Sequence, residues 1–142
     1  MWIIAIIVTI LIVVVGKIII NTQKDKEDLL GTSVEEKFNV IVNKINQFAF
    51  NGEGEIKYIG KNHFNLYPDS SNQIVDFMYS QGMLSIIWKY KYLQKEMVYT
   101  RNLTNVRNLS LLEQAEIAQA LIGEMNLKIQ EHKKSVWAME NG

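Results

Sequence analysis

Residues 2–20 read WIIAIIVTILIVVVGKIII, an apolar run broken only by Thr9, Gly16 and Lys17. A helix that is apolar on every side has no face to turn toward water, so it must be enclosed by other apolar matter. At a rise of 1.5 Å per residue, nineteen helical residues span about 28 Å, close to the ~30 Å hydrocarbon core of a bilayer. The stretch is rich in Ile and Val, poor helix formers in water. In lipid the backbone has to satisfy its own hydrogen bonds, and a helix does that. Residues 1–20 are therefore expected to form a transmembrane anchor. Trp2 suits one membrane interface, and Lys17, one turn from the other end, can extend its stem toward the headgroups.

A cleaved signal peptide would need a positive leader, a shorter apolar stretch and a small-x-small cleavage site. No such site follows the run, and a retained anchor is the expectation. Lys17, Lys24 and Lys26 lie on its carboxyl side, with no Lys or Arg before it. That asymmetry predicts the amino terminus outside and the remaining chain in the cytoplasm. Ala5 and Thr9 form a small-xxx-small pair that would let two such helices approach closely, so a homo-oligomer is allowed.

Outside the run the chain has the size of one small domain: 142 residues in all, with 15 Lys+Arg against 15 Asp+Glu. A balanced charge supplies no general attraction to nucleic acid, and none is expected as a partner. The absence of cysteine excludes disulfides, a thiolate nucleophile and a Cys-ligated zinc site.

Residues 21–33 are polar and read as a juxtamembrane linker. Thr32 with Glu35, and Ser33 with Glu36, fit the capping box that opens a helix. Val34, Phe38, Ile41, Ile45 and Phe48 then recur at helical spacing, and Asn51-Gly52 supplies a stop. From residue 54 to about 104 the period changes to two. The expected strands are separated by turns at Gly60-Lys61-Asn62, at Pro68–Asn72, at Gln81-Gly82 and at Leu93–Glu96. In 83–92, Leu84, Ile86, Trp88, Tyr90 and Tyr92 share one face while Met83, Ser85, Ile87, Lys89 and Lys91 share the other. Ser110 and Glu113 make another capping box. Leu111, Ala115, Ala118, Ile122, Met125 and Ile129 carry the last helix to about His132, and 133–142 is expected to be a partly ordered tail. The fold class that follows is α+β: an anchor, then a two-layer domain over 34–132 with the order helix, antiparallel meander of about five strands, helix. This order is similar to the small chaperone-like folds of bacterial secretion systems, a likeness of layout that implies a fold and no activity.

Chemistry-bearing motifs are scarce. His63 and His132 have no companion at metal-ligand spacing, and neither a G-x-S-x-G elbow nor a phosphate loop is present. Glu53 and Glu55 flank a turn, where carboxylates are ordinarily solvated. Trp88-Lys89-Tyr90-Lys91-Tyr92 interleaves aromatic and basic residues. A single-strand binder needs both kinds on one face, whereas strict alternation sends them to opposite faces. No enzyme activity, cofactor or metal is expected. The reading is a single-pass membrane protein whose domain contacts another protein, through Ile87, Lys89 and Lys91 on the polar side of the long strand and through Trp137 in the tail. Two alternatives remain open: an envelope, secretion or conjugation component with the domain outside, and a tethered enzyme with a carboxylate pair assembled by the fold.

Overall fold

The computed structural model describes residues 2–29 and 32–141, with only the backbone course described for 16–28. Helix α1 (Trp2–Asp28) is followed by the single turn α2 (Val34–Lys37) and by α3 (Asn39–Phe50). Strands β1 (Glu55–Gly60), β2 (His63–Tyr67), β3 (Gln73–Ser80), β4 (Met83–Tyr92) and β5 (Lys95–Leu103) come next, and α4 (Leu111–Asn141) closes the chain. The strands form one antiparallel sheet in the order β1-β2-β3-β4-β5. The expected α+β meander between helices is what the chain folds into.

The Ser110–Glu113 box closes in both directions, Ser33 caps α2 through its hydroxyl alone, and the Thr32 hydroxyl donates to Glu36 Oε2 at 3.0 Å rather than pairing with Glu35. Ser33 Oγ accepts from the Glu36 N–H at 3.2 Å. Ser110 Oγ accepts from the Glu113 N–H at 3.1 Å while Glu113 returns an acceptor to the Ser110 N–H at 3.2 Å. Asn51 ends α3 with φ 53°, a left-handed cap that Asn tolerates.

Helices α3 and α4 lie side by side on one face of the sheet. Between the layers Trp88, Tyr79, Phe38, Phe64 and Phe77 are fully buried. Phe64 and Phe77, cross-strand partners, stack with centroids 4.9 Å apart. Gln73 crosses between layers: its Nε2 donates to the Ala49 carbonyl at 3.0 Å, and its Oε1 accepts from Trp88 Nε1 at 2.9 Å. The Trp88 indole N–H and the Ala49 carbonyl are thereby paired, whereas the buried Gln114 Oε1 has no hydrogen-bond partner among the described residues.

Several expectations are corrected. Among the described residues no helix is long and apolar enough to cross a membrane. Side chains of α1 (Trp2–Asp28) are described from Trp2 to Val15. Lys17, named as an anchor residue, has its side chain outside the described residues, as do Leu30 and Gly31 of the expected linker. That linker is partly helical, because α1 continues to Asp28 through Gln, Lys and Glu, all good helix formers. The first amphipathic helix is interrupted at Phe38 (φ −110°, ψ 31°), which turns that ring onto Tyr79 at 5.4 Å. Phe48, expected in the stripe, is 39% exposed, and Phe50 is buried instead.

In α4 the buried positions are Gln114, Ala118, Leu121, Met125, Ile129 and Val136, while Leu111 is exposed. Residues 133–141, expected as a partly ordered tail, continue α4, since Lys, Ala, Met and Glu support a helix. Strand β5 begins at Lys95, two residues before the expected 97, because Leu93 and Gln94 (φ 49° and 66°) make a two-residue hairpin turn without glycine.

Candidate protein-interaction face

The helices cover one face of the sheet, and no described residue covers the other. Its rows follow from the strand register. Lys57, Asn65, Asp76, Ile87 and Thr100 lie in line across all five strands. Ile74, Lys89 and Val98 form the next row, and His63, Met78, Ser85 and Asn102 another. The face therefore alternates apolar and polar side chains. Met78 is 43% exposed and Val98 52% exposed, with Ile74 and Ile87 half-buried beside them.

Ile87, Lys89 and Lys91 stand on this face as expected, Ile87 half-buried and both lysines exposed. Trp137 is not with them. It projects from the last turns of α4, 58% exposed, while its neighbour Val136 is buried. Helical geometry separates adjacent residues by about 100°, so only one of the two can face inward. The expectation of a partly ordered tail hid that choice. The interleaved Trp88-Lys89-Tyr90-Lys91 segment divides between faces as predicted: Trp88 and Tyr90 are buried and the lysines face solvent.

Polar links organise one side of the face. Lys57 Nζ is 3.1 Å from Asp69 Oδ1 and 3.9 Å from the Tyr67 ring centroid. The hydrogen bond to Asp69 raises the Lys57 pKa above its ordinary value. His63 Nε2 lies 2.7 Å from Asp76 Oδ1, joining β2 to β3. Between Lys57 and Asp76 sits Asn65, whose buried Oδ1 finds no hydrogen-bond donor among the described residues. An unmet acceptor of this kind costs about 1–3 kcal/mol unless a donor arrives from outside. Sequence alternation placed Asn65 on this face, and nothing in the sequence marked its unpaired oxygen.

The His63–Asp76 pair is the nearest approach to a catalytic arrangement. Ser85 lies beyond Met78 in the same row as His63. Two strand spacings of about 4.8 Å put its hydroxyl out of the imidazole's reach. His132 is occupied elsewhere, its Nε2 2.9 Å from the Lys95 carbonyl. Among the described residues no group of three or more His, Cys, Asp or Glu could hold a metal ion. Glu53 and Glu55 are both exposed.

A separate ionic cluster ties α4 to the sheet edge. Arg101 Nη1 donates to both Glu124 oxygens at 2.9 Å, and the Tyr99 hydroxyl donates to Glu124 Oε2. That hydroxyl hydrogen bond holds the Glu124 carboxyl below the usual range, and Arg101 adds to the effect. Burial, then the Glu124 carboxylate, push the Tyr99 hydroxyl well above its ordinary value. The cluster positions α4.

On α1, every large apolar side chain from Trp2 to Val15 is 48–86% exposed. The Thr9 hydroxyl donates to the Ala5 carbonyl at 2.8 Å, which satisfies it within the helix. No family model, no curated protein and no solved structure matches the chain.

Proposed function

We propose that this chain is a membrane-tethered interaction module that holds a partner protein against the uncovered face of its sheet. That face carries the reading. It spans five strands, mixes exposed Met78 and Val98 with half-buried Ile74 and Ile87, and contains an acceptor, Asn65 Oδ1, that lacks a donor. Apolar positions interspersed with polar ones on an uncovered face are a composition that protein contacts use. Supporting the tether, α1 exposes apolar side chains on all sides from Trp2 to Val15. The apolar sequence continues to Ile20, enough for about 28 Å of helix. Lys17, Lys24 and Lys26 favour the domain in the cytoplasm. Nothing in the geometry favours chemistry over binding, and the reading includes no enzyme activity.

A photo-crosslinking residue placed at position 87 tests the face, with position 119 on α4 as the control. Irradiated cells should yield a discrete adduct from position 87 and none from 119. Equal labelling at the two positions, or none at either, removes the face from consideration. The tether is read independently by flotation of the full chain with neutral vesicles.

A further inference from the structure

Where β3 begins, the uncovered face dips into a recess of about 160 Å³ lined by Ser71, Asn72, Ile74, Lys89, Lys91 and Glu96. Each water occupies about 30 Å³ in the liquid, so the recess has room for a carboxylate with its neighbouring atoms. Its floor is fixed. Asn72 Nδ2 donates to the Lys91 carbonyl at 2.9 Å, and the Lys91 N–H donates to the Asn72 carbonyl at 2.9 Å. Ser71 Oγ accepts from the Gln73 N–H at 3.1 Å, turning the loop into the strand.

The two lysines set the ligand. Both are exposed, and neither ammonium has an ion-pair partner among the described residues, in contrast to Lys57 and Arg101. They stand two residues apart on one strand face, about 6.6 Å along it, so both can reach one oxyanion. Glu96, the cross-strand partner of Lys91, limits the local sum of these three groups to a single positive charge. Glu96 repels any anion, but the net single positive charge of the three groups can neutralise one carboxylate and not the successive phosphates of a nucleic-acid strand. Lys89 lies between Ile74 and Val98 in its row. Beside the charge site, then, are apolar positions for the side chains that flank it.

We propose that this recess receives an acidic side chain of the partner protein, an Asp or Glu with apolar residues on either side, held by Lys89 and Lys91. The inference rests on the uncovered face being the partner's seat and specifies what that partner presents. Charge complementarity of this kind speeds encounter and fixes register.

The test uses the full chain in neutral detergent micelles. The probe is the peptide Ser-Val-Ser-Glu-Ser-Val-Ser with an uncharged fluorophore, in which Val, Glu and Val point one way when extended. Fluorescence anisotropy should report binding that weakens with salt, and the peptide with Gln in place of Glu should bind about tenfold more weakly. Lys89→Gln with Lys91→Gln should lose about the same factor while the circular dichroism spectrum is unchanged. Both lysines are exposed, so the fold does not depend on their charge. Equal binding of the Glu and Gln peptides, or indifference to the double substitution, overturns the proposal. So does a lysine dependence seen only with vesicles containing anionic lipid, which would assign the pair to headgroups. If the peptide fails while crosslinking from position 87 persists, the face stands and its acidic ligand falls.

Discussion

At the scale of single residues, the side chains that matter most are those that reach between elements. Gln73 is one: it satisfies both Trp88 Nε1 and the Ala49 carbonyl. Gln73→Leu should lower the stability by about 2 kcal/mol, because it strands a buried donor and an acceptor together. Denaturant midpoints followed by near-ultraviolet circular dichroism measure that loss. The Tyr99–Glu124–Arg101 cluster makes a pH-dependent contribution at both ends of the scale. Glu124 has a lowered pKa in the folded chain, so its contribution is present at neutral pH and disappears as pH falls through that lowered value. Tyr99 has a raised pKa, so its contribution is full below about 10 and declines as pH rises beyond it. Tyr99→Phe should cost about 1 kcal/mol at pH 7 and flatten the alkaline limb of a stability–pH curve. An unchanged limb would show that the hydroxyl contributes nothing. None of these contacts was legible beforehand. Gln73 and Trp88, or Tyr99 and Glu124, are neighbours only after the sheet and helices have assembled, and spacing along the chain carries no sign of it.

At the scale of elements, the local rules did better. The N-cap at Ser33, the capping box at Ser110, the Asn51 stop and the alternation through Met83–Tyr92 are short-range signals, and each sits where its residues predicted. Misreadings came where local signals are weak: the glycine-free turn at Leu93-Gln94, and the carboxyl end of α4, where no stop residue precedes Gly142. Two predictions follow from that helix. Ser110→Ala removes a reciprocal cap and should destabilise the domain by about 1 kcal/mol. Val136→Ala should cost about 1–2 kcal/mol by the buried methyl groups it removes, whereas Trp137→Ala should leave the unfolding free energy within about 0.5 kcal/mol of the parent. If Trp137 proves the costlier of the two, the buried and exposed sides of the final turns are reversed. The face of the sheet was equally open to reading, since period two fixes which side chains share it. Its recess was not, because the loop 68–72 that forms one wall has no period.

For the whole molecule the question is whether α1 and the domain depend on one another. Among the described residues the core cluster starts at Val34, with Leu29 packed against it, and none of the apolar side chains from Trp2 to Val15 belongs to it. Folding of the sheet and of α3 and α4 should therefore proceed without residues 2–20, while attachment to lipid should require them. A chain lacking residues 2–20 is expected to leave the membrane pellet for the supernatant and to keep the sheet signature and the same near-ultraviolet spectrum. The sidedness of the domain can be measured on the full chain, because it contains no cysteine and one introduced at position 140 is the sole thiol. With the domain in the cytoplasm, an impermeant maleimide should label that thiol only after the cells are opened. Labelling of intact cells would place the domain outside and make it part of an envelope assembly. A truncated chain that still pellets with membranes would show that the domain itself holds lipid. The basic residues of its surface, rather than the apolar run, would then be the membrane contact.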